Sequence, residues 1–218
     1  PAPLHTVFHA YVDGTSGAQL HEIGTEAPRS WGSPVTVLQI AVIAAAYFVT
    51  ARVGLSLDAV AGFATLVWPA SGIALAALLL GGFRLWPAIA IGAFAVNVMA
   101  GAPIPAAIGI AIGNTAEAVL GAYLLRRAGV RESLERVRDV VAFIILAAIV
   151  SSALAATIGT TSLLAAGRVS AAQFLATGKA WWLGDGIGEL LVAPIILTWA
   201  AWSPKRPTRE RIGEAVLL

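Results

Sequence analysis

Apolar runs too long for a soluble core recur along this chain. They lie at about 34–51, 57–82, 85–101, 103–125, 139–166 and 171–202, each near or above the roughly 20 residues that span a bilayer as a helix. Lipid offers the backbone no hydrogen-bond partner, so a run of this length folds as a helix that satisfies itself. The expectation is an all-α, polytopic transmembrane helix bundle with about six spans. Composition agrees: 58% of the 218 residues are hydrophobic and 12% charged, against about 25% charged in a soluble domain.

Two runs carry interruptions. Trp68-Pro69 divides the second, and Trp86-Pro87 opens the third. Proline lacks the amide donor a helix interior needs, so it starts or breaks a helix. The spacing predicts a partial or interfacial helix over 57–67, with the true span beginning near Trp68. "WPASGIA" and "WPAIAIG" look alike at an offset of 18 residues, too short a match to define a repeat.

Residues 1–33 are polar, rich in Gly, Ser and Thr, and hold all three histidines, His5, His9 and His21. They read as a loosely ordered tail. His5 and His9 could share a helix face, but no firm third ligand follows, so no metal is expected. The opening residues lack the basic-then-apolar order of a signal peptide, and no cleaved leader is expected.

Of the 14 Lys and Arg residues, all but Arg52, Arg168 and Lys179 fall on one side of a six-span arrangement. Cytoplasmic loops carry the excess of basic residues, so both termini are expected in the cytoplasm. The same reasoning assigns the sequence pI near 9.4 to topology and not to nucleic acid. Residues 204–218 form a basic segment, and the chain stops at "RIGEAVLL" as another apolar run begins. A further span beyond residue 218 is expected.

Acids inside apolar runs are the candidate functional groups. In "GIAIGNTAEAVLGAYLLRR", Gly109, Gly113, Glu117 and Gly121 recur every four residues, with Asn114 one turn before Glu117. In "WWLGDGIGELLVAP", Gly184 and Gly188 flank Asp185 and Glu189, again four apart. Small residues let helices approach, and a polar group among them can bond across the contact. Asn97 adds a polar site near the end of its run. These groups either pair and fix helix register, or line a polar pocket that binds a ligand, proton or partner helix. Intramembrane acids favour the second reading. Matching small-residue stripes place Glu117 opposite Asp185 across a shared pocket. Trp181, Trp182 and Trp199 match the interfacial enrichment of tryptophan and are expected as anchors.

Several chemistries lack their residues. There is no cysteine and no histidine beyond His21, which removes thiolate sites, a Ser–His hydrolase and His-ligated haem in the bilayer. No Gly-rich phosphate loop with its lysine occurs. No catalytic residue, metal or cofactor is assigned.

"VWPASGIALAALLLGGFRLWP", "GIAIGNTAEAVLGAYLLRR", "RVRDVVAFI" and "WWLGDGIGELLVAPIILTW", in this order over about 34–203, resemble the membrane-associated sensor domain called MASE, type one. The resemblance implies a non-enzymatic input module of the bacterial inner membrane. Such modules precede an output domain of histidine kinase or diguanylate cyclase type. By motif it marks Trp68, Pro69 and Gly72, then Asn114 and Glu117, then Trp182, Gly184 and Asp185. Glu189 lies outside the shared core. The family carries more spans than six, and no output domain is present here. Candidate ligand- or partner-binding residues are therefore Trp68, Pro69, Asn97, Asn114, Glu117, Trp182, Asp185 and Glu189. Expected partners are the lipid bilayer and membrane proteins docked on small-residue helix faces, with a homodimer as one arrangement and no nucleic acid. Two alternatives stand: an accessory subunit of a larger membrane complex, and a small transporter, against which there is no clear inverted repeat.

Overall fold

The computed structural model describes residues 33–56 and 62–201, and these are all-helical apart from connecting turns. The tail with its histidines, residues 57–61 and the basic segment after 203 lie outside the described residues. The helices are α1 (Pro34–Ser56), α2 (Pro69–Gly81), α3 (Trp86–Met99), α4 (Ile104–Arg127), α5 (Val137–Phe143), α6 (Ser152–Ala165) and α7 (Phe174–Ala201). A 3-10 turn, Phe83–Leu85, leads into α3, and a π-helical segment, Ile144–Ser151, joins α5 to α6.

Each of the six apolar runs thus contributes helix, but not six full spans. Among the described residues, four helices are long and apolar enough to cross a membrane: α1, α4, α7 and the continuous Val137–Ala165. Helix α2, with 13 residues, reaches only about 20 Å at 1.5 Å per residue, and α3 with 14 little more.

The break before α2 has a local cause. The residue before a proline is pushed out of the helical region, and Trp68 sits at φ −118°, ψ 84°, with Pro69 in the first turn of α2. Upstream, Gly62 takes φ +79°, and the Thr65 hydroxyl donates to the Val67 carbonyl. Residues 62–67 are therefore irregular chain and not the interfacial helix expected there; a helix does begin just after Trp68, but at 13 residues it is shorter than the span expected. Non-helical backbone at membrane depth must be covered by protein. Phe63, Ala64, Thr65 and Trp68 are all buried, and the Trp68 amide donates to the Gly184 carbonyl of α7 at 2.9 Å.

Two cross-links define the ends of the bundle. At one end, Arg126 donates to the Leu78 and Leu79 carbonyls, both at 2.8 Å, and stacks 4.8 Å over Phe83. A cation there also suits the C-terminus of α2. Beyond it, Arg136 grips Asp139 through Nε and Nη2 at 2.8 and 2.9 Å. At the other end, Arg168 stacks 5.8 Å over Phe63.

An apolar core fills each half. Leu78, Leu85, Leu125, Phe143 and Leu197 pack near the first end. Phe63, Ala102, Leu163, Val169 and Trp181 pack near the second. Outward faces carry exposed Val42, Val49, Ile112, Leu191 and Ile195, as a lipid-facing surface requires. The polar residues lie between the two cores.

Candidate functional site

Glycine sets the distance between α2 and α7. A β-carbon on Gly72 would meet Val192 Cβ at 2.7 Å and the Ala193 amide nitrogen at 2.9 Å. One on Gly188 would strike the Trp68 carbonyl, and one on Gly184 the Thr65 carbonyl. The glycines of the α4 stripe are likewise spent within the chain, Gly113 against Ile158 and Gly121 against Ser151 and Leu75. The Gly-spaced faces noted in the sequence therefore bring together helices of one chain.

That close approach buries the acids. Glu117, Asp185 and Glu189 are 1%, 0% and 0% exposed. Ser71 of α2 donates to Asp185 Oδ1 at 2.7 Å. Ser152, at the junction of the π-helical segment and α6, donates to Glu189 Oε2 at 3.4 Å and also contacts Glu117. Glu117 lies within electrostatic range of Asp185 and Glu189, and Glu189 of Asp185. Asn114 donates through Nδ2 to the Tyr47 hydroxyl at 2.7 Å, and Trp68 Nε1 makes a longer contact of 3.5 Å to the same oxygen.

Among the described residues, the ion pairs join Arg136 and Arg138 to Asp139; none reaches the three buried acids. Glu117 Oε1, Asp185 Oδ2, Glu189 Oε1 and Asn114 Oδ1 are buried without a hydrogen-bond partner. A cavity of ≈ 10 Å³, lined by Phe63, Ala64, Thr65, Trp68, Trp181 and Asp185, opens on one flank of the cluster. That volume is at the lower limit for one water molecule.

The π-helical segment forms the opposite wall. Its wider turn leaves carbonyls for side chains to serve: Trp182 Nε1 donates to Ile149 at 2.9 Å, and Ser151 to Ala147 at 2.8 Å. Gly186 lets α7 press on this backbone, where a β-carbon would meet the Ala148 carbonyl oxygen at 2.6 Å. Such segments occur often at functional sites.

Of the residues singled out in the sequence, Trp68, Pro69, Asn114, Glu117, Asp185 and Glu189 converge here. Glu189, outside the shared motif, is as deeply placed as Asp185. Asn97 does not join them: its Nδ2 bonds back to Ala93 of its own helix at 2.8 Å. Trp182 is half-buried on the far side of the π-helical segment. Trp181, expected as an interfacial anchor, is instead a core residue against Gly159. Tyr47, Ser71 and Ser152 belong to the site and were not singled out. Their signal was a lone hydroxyl in an apolar run, which in a helix more often bonds its own backbone.

Comparison with known proteins bears on what this polar core serves. No curated protein and no solved structure matches the chain. The family model for MASE1 matches residues 39–217, from α1 through the whole cluster. By that match, over most of its length, the chain belongs to the MASE1 family of membrane sensory input domains.

Proposed function

We propose that the chain is the input half of a signalling protein of the bacterial inner membrane. A stimulus or membrane partner repacks its helices, and α7 passes the shift to a cytoplasmic output of histidine kinase or diguanylate cyclase type. One observation carries this reading: three buried acids with no cation meet where the broken span, α4, the π-helical segment and α7 cross. Charged groups are expensive in the bilayer and mark function. A ligand biases a two-state packing only through unequal affinity for the two states, and a change of charge among these acids supplies that inequality. In this reading both termini are cytoplasmic, the bilayer surrounds α1 and the outer faces of the bundle, and membrane proteins or a second copy dock on those outer faces, since the Gly-spaced faces are already filled by helices of the same chain. The chain itself performs no catalytic step.

The test is the double substitution Glu117→Gln with Asp185→Asn in the full-length signalling protein. It is expected to change basal or stimulated output while leaving the protein folded. Output and stability both equal to wild type would remove the reading. Substrate flux through liposomes holding the purified chain would favour a transporter instead.

A further inference from the structure

Donors run out before acceptors do in the polar core. An ionised carboxylate only accepts hydrogen bonds. The Ser71 and Ser152 hydroxyls are committed to Asp185 Oδ1 and Glu189 Oε2, and the Asn114 amide to Tyr47. Glu117 Oε1, Asp185 Oδ2, Glu189 Oε1 and Asn114 Oδ1 remain buried with no donor. Tyr47 accepts from Trp68 and Asn114 and still has one proton to give. One proton cannot serve four acceptors, and buried polar groups are rarely left unserved.

The Trp181 side chain of α7 also reaches Asp185, but nothing else on hand serves Glu117 Oε1 and Glu189 Oε1. The titratable groups facing the cluster are Tyr47 from α1, Glu117 from α4, and Asp185 and Glu189 from α7. From α2, the π-helical segment and α6 come only the hydroxyls of Ser71, Ser151 and Ser152. Among the described residues no three acidic, His or Cys side chains converge closely enough to hold a metal ion. The ≈ 10 Å³ cavity touches Asp185 alone of the three acids, so a water there could serve Asp185 Oδ2 and neither glutamate. The orphaned Asn114 Oδ1 lies one turn from Glu117 on α4 and is 97% withdrawn from solvent, being 3% exposed. A donor that needs no volume is required.

We propose that Glu117 and Glu189, bridged by Ser152, form a proton-binding site in which one protonated carboxyl donates to its neighbour. As the stimulus of the sensor, which rests on the reading above, the ligand is then the proton. Binding adds an O–H donor between α4 and α7 and removes one negative charge. Release leaves two carboxylates facing each other across that contact, which loosens α4 from α7, and the proton departs by way of Asp185 and the cavity beside it.

Infrared spectroscopy of the full chain in lipid vesicles, with glutamate carboxyls labelled with carbon-13, tests this directly. At neutral pH an isotope-shifted protonated-carboxyl band is expected. It should disappear on alkaline titration, be lost in Glu117→Gln and in Glu189→Gln, and persist in Asp185→Asn. No isotope-shifted band in the unmodified protein overturns the proposal, whether or not the variants fold. Ser152→Ala, which removes the bridging hydroxyl, should move the band; an unmoved band puts the proton on another glutamate and also overturns it. A band present while the Gln variants signal normally keeps the proton site and removes the sensor reading. A band absent while those variants lose signalling does the reverse.

Discussion

Tyr47 carries the clearest consequence at the scale of one residue. Its hydroxyl collects the Asn114 amide at 2.7 Å and the Trp68 indole at 3.5 Å, and so ties α1 to α4 and to the break before α2. Tyr47→Phe keeps the ring and strands two buried donors, which costs about 1–3 kcal/mol. The expected result is a lower thermal unfolding midpoint in detergent. Asn97→Ala is the comparison, because Asn97 bonds only within its own helix. It should cost less, and equal losses would deny Tyr47 its linking role. The acids were legible in the sequence because a carboxylate in an apolar run has no ordinary explanation. Their hydroxyl partners were not, since Tyr47, Ser71 and Ser152 each have an ordinary local role in a helix. Only the crossing of four segments shows which of them face the acids.

At the scale of the element, glycine decides how close two helices come. Gly188→Ala drives a methyl group into the Trp68 carbonyl, which is backbone and cannot rotate away. Overpacking of this kind costs about 1–3 kcal/mol, so α2 and the irregular segment before it should loosen from α7. Gly178 lies on the same helix, and its β-carbon would find only Thr160 Oγ1, at an ordinary 3.5 Å. Gly178→Ala should therefore gain up to about 1 kcal/mol of helix propensity. Unfolding midpoints of the two variants in one detergent test the contrast; a shift of the same sign in both would show that packing at Gly188 is not limiting. Helix positions followed from hydropathy, and the Trp-Pro pair correctly marked the start of α2. Residues 62–67 did not follow the helical pattern, because Gly62 at positive φ and the pre-proline bias together outweigh apolar composition. The π-helical segment has no sequence signature at all: "IILAAIVS" would suit an ordinary helix, and its close contact with α7 at Gly186 and Trp182 is visible only in the fold.

For the whole molecule, the two ends of the bundle differ in charge, and that difference sets an orientation. The Arg126 contacts to α2 gather Arg84, Arg126, Arg127, Arg131, Arg136 and Arg138 at one end, while Arg168 stacks on Phe63 at the other. Short loops rich in Lys and Arg stay in the cytoplasm, so the loop between α4 and α5 should be inside and the loop between α6 and α7 outside. The two short helices do not disturb this order: α2 runs parallel to α7, with Trp68 beside Gly184 and Gly72 beside Val192 and Ala193, and α3 returns packed against α1 and α4. The chain has no cysteine, so each introduced cysteine reports alone. Glu132→Cys and Ala171→Cys replace exposed residues in the two loops. A membrane-impermeant maleimide should label Ala171→Cys in right-side-out vesicles and Glu132→Cys only in inside-out ones. Labelling of both from one face would contradict the passage of Val137–Ala165 across the membrane, and with it the placing of Ser152, Glu117 and Glu189 inside the bilayer. Labelling from the reversed faces would keep the bundle and its polar core but turn the end where Arg168 stacks on Phe63 toward the cytoplasm.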